Sequence, residues 1–199
     1  MTPANNIKSR FLSHLVKNNR PYMDGFQRWL FQPGMLFNSL EQWWGTQGPR
    51  AVAHEGLDLY RFADAQGIIK IVDRNIKIPA AFAGKIIKID QDFLGKSIYL
   101  SHEIFSASGR QLYSIYGHTA PLEALHPGKI VAEGEIMAAV SGAPPQKSTL
   151  SPHLHLSFAW IPATIPPDQL NWPNLNHDPA ITLIDPLSCL VEPCRENVP

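Results

Sequence analysis

Proline and glycine cut this chain into short pieces, and that punctuation limits its architecture more than any other feature. Its 199 residues include 18 prolines and 13 glycines. From about Gly48 onward they divide runs such as "IIKIV", "NIKIPAAFAGKIIKID", "KSIYLSHE", "RQLYSIYGH", "KIVAEGEIMAAV" and "HLHLSFAW". These runs are short and rich in β-branched and aromatic residues, the pattern of strands separated by turns. Their regular spacing predicts a mainly β protein, an antiparallel sheet or sandwich, in preference to a helical bundle.

The N-terminal part reads differently. Ile7, Phe11, Leu12, Leu15 and Val16 recur at the spacing of one helix face. A second apolar set, Tyr22, Phe26, Trp29 and Leu30, runs up to the interruption "QPGM". Asn38 followed by Glu41 then resembles a capping arrangement for a short helix carrying Leu40, Trp43 and Trp44. We therefore expect a helical N-terminal extension over residues 1–47 and a β domain over 48–199. The basic face that a membrane-surface helix needs is thin here, so the aromatic set is read as packing against the main domain. Within that domain, the proline-rich stretch 161–180 is too poor in backbone donors for a central strand and is expected as a surface excursion.

Charge and cysteine content narrow the function. Seventeen basic residues balance 17 acidic ones, which gives no broad basic face for nucleic acid. No run approaches the roughly 18 uncharged apolar residues of a membrane span, and the opening "MTPANNIKSRFLSHLVKNN" has no apolar signal core. Cys189 and Cys194 are separated by four residues in the tail and lack metal-knuckle spacing. An oxidising compartment would let them close a small loop, and we read them as reduced. A chain of this length buries a sufficient core alone, so a monomer is expected.

The chemistry is concentrated in the eight histidines. His14, His126 and His177 lie on the amphipathic segment, in a turn and in the excursion, and are assigned no role. His153 and His155 alternate with Leu154 and Leu156. Side chains two apart on a strand share a face, so both imidazoles meet one spot while the leucines fill the core. "HEGLD" adds His54 and Asp58, with Gly56 between them to permit close backbone approach. His54, Asp58 and one of His153 or His155 have the composition of a three-ligand zinc site that leaves a fourth position for water. His118 closes a strand in "IYGHTA" and, taken alone, reads as structural.

HEGLD, YGH and PHLH, in that order over about a hundred residues, resemble the lysostaphin and LytM type of zinc endopeptidases, which cut peptide bridges in bacterial peptidoglycan. "LHPGKIVAEGEIMAAVSG" and "LIDPLSCL" are similar to that family's glycine-punctuated segment and closing strand, and the resemblance covers roughly 50–191. It implies the LytM (duplicated hybrid motif) fold, one zinc ion held by His54, Asp58 and His155, and metal-free catalytic roles for His118 and His153. It further implies peptidoglycan peptides as the substrate. That places the work in the cell envelope, periplasm or extracellular space, although no signal peptide is visible in these residues. Three departures accompany it. Ser151 stands where the family pattern has Gly, Ser157 stands where it has Glu, and "RFADAQGIIKIVDRN" is a longer insert than usual.

Two other readings belong to different classes. A non-catalytic module of this type, which binds or regulates another cell-wall hydrolase, typically loses ligands, whereas all five positions are kept here. A β-sandwich related to sugar phosphotransferase carrier domains would use paired histidines for phosphate and would have no need for Asp58.

Overall fold

The structure, a computed structural model, describes residues 7–45, 48–142 and 150–191. Helices α1 (Phe11–Asn18) and α2 (Arg20–Met23) lead into strand β1 (Phe26–Leu30). The strands that follow are β2 (Leu57–Leu59), β3 (Arg61–Asp64), β4 (Ile69–Ile71), β5 (Lys77–Pro79) and β6 (Gly84–Gln91). Next come β7 (Lys96–Phe105), β8 (Gln111–Pro121), β9 (Ile130–Val131), β10 (Ile136–Val140) and β11 (Leu154–Ile161). Helix α3 (Trp172–His177), β12 (Thr182–Ile184) and α4 (Pro186–Cys189) complete the described chain. The fold is mainly antiparallel β with an N-terminal helix, as the strand punctuation predicts.

The main sheet runs β12-β11-β8-β7-β6-β9, with β2 added to β11 and β10 bridging β5 and β8. Strand β11, flanked by β8 on one side and by β12 and β2 on the other, is buried on both faces. Leu154, Leu156 and Phe158 enter the principal core, where Phe11, Leu12 and Leu15 of α1 meet them. Burying each of those α1 side chains contributes about 1.5–3 kcal/mol, so α1 is part of the core and not an appended helix. The opposite face of β11 carries His155 and Ser157, then Ala159 and Ile161. The last two join Tyr99, Ile115, Leu170 and Leu175 in a second cluster. One strand thus supplies two cores and, at its N-terminal end, a polar face.

Two N-terminal expectations are corrected. Phe26, Trp29 and Leu30 lie on strand β1, not on a helix. The chain turns at Gly25, whose φ is 70°, and β1 pairs antiparallel with β3, setting Trp29 opposite Phe62. Phe26, Trp29 and Phe62 pack with ring centroids 5.5, 5.6 and 5.9 Å apart, a tertiary gain that overrides helical periodicity. Nor does a helix follow Asn38. Its φ of 62° is not that of a capping residue, its N–H donates to His54 O at 2.8 Å, and Glu41 forms an isolated bridge with Pro49.

The long insert after β2 folds as the β3–β4 hairpin, so a second sheet of order β1-β3-β4 unites the insert with the N-terminal strand. The proline-rich stretch also goes beyond a surface path. Asn171 caps α3 by accepting from Asn174 N at 2.9 Å, and Leu170 and Leu175 are buried at 1% and 2% exposure. Cys189 is a buried free thiol, whereas Cys194 lies outside the described residues. Among the described residues no helix is long and apolar enough to cross a membrane.

His102, on β7, is fully buried. Its Nδ1 bonds Ala83 O at 2.9 Å and its Nε2 lies 2.8 Å from Ser114 Oγ. Burial lowers its pKa from 6.5 to about 4, against the opposing hydrogen bond to Ala83. The unfolded chain therefore takes up this proton near pH 6.5 and the folded chain only near pH 4. The stabilising difference is complete above pH 6.5 and is lost as the pH falls toward 4. Denaturant titrations at pH 7 and pH 5 check this: His102→Gln should lose about 2 kcal/mol less stability between the two than the parent chain. Equal losses would show that His102 is not buried neutral.

Candidate metal centre and cleft

The site is assembled by strand pairing. Strand β2 lies antiparallel on β11 with Asp58 directly opposite His155, the register in which cross-strand side chains meet. On the other side of β11, His155 is opposite Gly117 of β8, which delivers the neighbouring His118. His54 enters from the loop before β2, anchored by His54 N–H to Ser39 O at 2.9 Å. Gly56 makes this close approach possible: a Cβ there would lie 2.4 Å from Leu156 O and 2.7 Å from His155 Nε2.

His54 Nδ1–H donates to Leu36 O at 2.9 Å, which leaves Nε2 as a bare acceptor. His155 Nε2 lies 2.9 Å from Ser157 Oγ. With that nitrogen donating, His155 Nδ1 is bare as well. The second oxygen of Asp58, Oδ2, accepts from Trp43 Nε1 at 2.6 Å and lies 3.6 Å from the Arg50 guanidinium. All three side chains thus have partners on their outer atoms. Their inner atoms face one another: His54 Nε2 to Asp58 Oδ1 3.2 Å, His54 Nε2 to His155 Nδ1 3.1 Å, and His155 Nδ1 to Asp58 Oδ1 2.9 Å.

Those three separations test whether a metal fits. A tetrahedral ion with bonds of about 2.0 Å has ligand-to-ligand edges of about 3.3 Å, so the triangle needs only slight expansion. Three acceptor atoms at such distances repel unless a proton or a cation lies among them. His54, Asp58 and His155 form the one group of metal-holding side chains among the described residues, and all three are buried. Burial alone would raise the Asp58 carboxyl, but His54, His153 and His155 around it hold it well below the usual carboxylate range. Burial lowers His155, opposed by Asp58. Zinc requires an ionised carboxylate and a neutral imidazole of such ligands, the directions in which Asp58 and His155 are shifted.

Two further imidazoles border this triangle. His153 donates from Nδ1 to Ser151 O at 2.9 Å, which turns Nε2 toward Asp58 Oδ1 at 3.7 Å. Burial pushes its pKa down to about 4, against the opposing Asp58 charge, so this ring is neutral. Trp43 meets it edge-on with centroids 5.0 Å apart. The His118 ring lies 4.7 Å from that of His153. His118 itself adopts a left-handed φ of 62°, while its N–H donates to Asp92 Oδ2 at 2.8 Å and its Nδ1 lies 3.3 Å from Asp92 Oδ1. The five side chains line one cleft of about 200 Å³, walled by Trp44, Phe93, Leu150 and Trp172. That is smaller than the roughly 300–1,000 Å³ of pockets for drug-sized ligands.

His54, Asp58, His118, His153 and His155 are therefore together, while His14, His126 and His177 lie elsewhere. His14 is 3.5 Å from Glu133, His126 bonds Pro127 O, and His177 is exposed at the end of α3. Sequence reasoning missed Trp43, Asp92 and Trp172. Trp43 sat in an aromatic run read only as packing, and Asp92 in the turn "DQDFLG" carried no motif. Trp172 belongs to the proline-rich stretch yet packs its ring 4.9 Å from His155 and donates to Ser97 Oγ at 3.0 Å. The two substituted family positions also find a place. Ser157 holds the outer nitrogen of His155. Ser151 needs no glycine, since Asn38 and His118 are the only described non-glycine residues with positive φ.

No protein-family model and no curated protein matches the sequence. Among solved structures, the chain is similar to the antimicrobial peptidase lysostaphin from Staphylococcus simulans, with 20% identity over 75% of this chain and a TM-score of 0.41. It is similar to a putative glycyl-glycine endopeptidase LytM from Ruminococcus gnavus, with 16% identity over 70% of this chain and a TM-score of 0.40. The match spans 48% and 50% of those two chains, about half of each. A third likeness is to the catalytic domain of a variant of the prophage-encoded protein EnpA from Enterococcus faecalis. There the identity is 18%, the cover 72% of this chain and 96% of that one, and the TM-score 0.38.

Proposed function

We propose that this protein is a zinc metalloendopeptidase that hydrolyses peptide bonds in the stem peptides or crossbridges of peptidoglycan. The observation that carries the reading is the triangle of His54 Nε2, Asp58 Oδ1 and His155 Nδ1, three inward acceptors bordered by two more imidazoles in one cleft. The HEGLD, YGH and PHLH order supports the peptidoglycan assignment.

His54, Asp58 and His155 would hold zinc, which would supply Lewis acidity to polarise a carbonyl and to lower the pKa of a water to about 7. The chain's own groups do the rest. The Ser151 carbonyl fixes the tautomer of His153, so its Nε2 is a bare acceptor beside Asp58 Oδ1. That nitrogen is placed to take the proton of an attacking water and to return it to the leaving amine. His118, whose ring adjoins that of His153, would stabilise the negative charge that develops on the carbonyl oxygen once its Nε2 carries a proton. The narrow cleft, lined by Trp44, Phe93, Leu150 and Trp172, suits an extended peptide better than a bulky ligand. Behind Asp58, the Trp43 indole holds the carboxylate so that one oxygen is left for the metal.

Metal analysis of the purified protein should give one zinc per chain, and His54→Ala, Asp58→Ala and His155→Ala should each lose both zinc and hydrolysis of defined muropeptides followed by mass spectrometry. His153→Ala should keep the zinc and lose on the order of 10²- to 10⁴-fold in kcat. A chain that binds no zinc when supplied with it sinks the reading, and a zinc-bound chain that cleaves no muropeptide favours the non-catalytic module. Trp43→Phe, which removes only the indole donor, should weaken zinc binding about 10- to 100-fold in a chelator competition, and unchanged affinity would remove Trp43 from the site.

A further inference from the structure

Asp92 lies in the loop between β6 and β7, 26 residues before His118, and its side chain is 1% exposed. Its Oδ1 accepts from the N–H groups of Leu94 at 2.9 Å and Gly95 at 2.7 Å. Its Oδ2 accepts from Ser97 Oγ at 2.9 Å and from the N–H of His118 at 2.8 Å. The first pair of bonds is what any aspartate closing a tight turn makes. The bond to His118 is different, because it reaches a separate strand and holds a residue in the left-handed region.

The His118 ring adds a second observation. Its Nδ1 is buried and has no well-aligned acceptor among the described residues. The group within reach is Asp92 Oδ1, at 3.3 Å. The ring lines the cleft beside the ring of His153, 4.7 Å from it. A carboxylate is a pure acceptor. A proton on His118 Nδ1 therefore lies between the two groups, whereas a bare Nδ1 would set two acceptors against each other inside the protein.

We propose that Asp92 is a positioning residue for His118: it fixes the backbone, orients the ring and holds the proton on Nδ1, so that Nε2 is presented to the cleft. It also stabilises positive charge on that ring whenever Nε2 takes a proton. This rests on the peptidase reading for its use in catalysis, but not for its geometry. The role parallels that of a carboxylate behind any catalytic imidazole, where loss of the correct tautomer costs far more than loss of a hydrogen bond. Asn at this position still closes the turn, but its amide points a donor at the His118 N–H or at the ring.

The test has two arms. In the zinc-free chain, nitrogen chemical shifts of His118 report which ring nitrogen carries the proton. The parent should show Nδ1–H, and Asp92→Asn should lose that preference. A parent ring protonated on Nε2 overturns the proposal, even if Asp92→Asn fails to fold and even if the chain hydrolyses nothing. In the zinc-loaded enzyme, Asp92→Asn should lose on the order of 10²-fold in kcat with KM and zinc content unchanged. In a His118→Ala background the same change should cost little further, because the two act as one unit. Losses that multiply across the two substitutions would show that Asp92 acts through the fold and not through His118.

Discussion

Three acceptor atoms pointed at one another organise this protein. His54 Nε2, Asp58 Oδ1 and His155 Nδ1 approach to 2.9–3.2 Å, and every outer atom of the same side chains is already engaged. Leu36 O, Ser157 Oγ, Trp43 Nε1 and Arg50 are the groups that hold them in that pose. Such an arrangement is costly without a cation at its centre, because burial removes the water that would otherwise screen it. The pairing of β2 on β11 and of β11 on β8 exists in the register that makes the convergence possible. A one-residue slip of β11 would turn His155 into the core and Leu154 and Leu156 toward the cleft.

That register explains why the site was legible in the sequence. Period-two alternation in "HLHL" placed His153 and His155 on one face and Leu154 and Leu156 on the other, as the structure has them. Gly56 marked a close approach that a Cβ would block. What periodicity could not show was the set of groups behind the histidines. Asp92 and Trp43 stand behind His118 and Asp58, from a hairpin loop and an irregular aromatic loop, and Trp172 lines the cleft from a proline-rich segment. Those side chains are placed by tertiary contacts and not by local spacing.

The N-terminal part was misread for the same reason. Its aromatic residues fit helical spacing, but Trp29 and Phe26 gain more by packing on Phe62. Phe62 belongs to the long insert that separates HEGLD from the next strand. The two features that had looked unrelated, an N-terminal extension and an unusual insert, are thus two halves of one small sheet. The loop that follows β1 continues to Trp43, whose indole bonds Asp58, and to Arg50, so this addition ends at the back of the candidate metal site. Peripheral structure and central chemistry are joined at Asp58 and at His54, which bonds Leu36 and Ser39 of the same loop.

X-ray absorption at the zinc edge of the metal-loaded protein tests the central claim most directly. The account predicts a low-coordinate site of nitrogen and oxygen donors near 2.0–2.1 Å, with the outer-shell scattering of two imidazoles. A sulfur donor, a site without imidazole scattering, or zinc that Asp58→Asn leaves unaltered would contradict it.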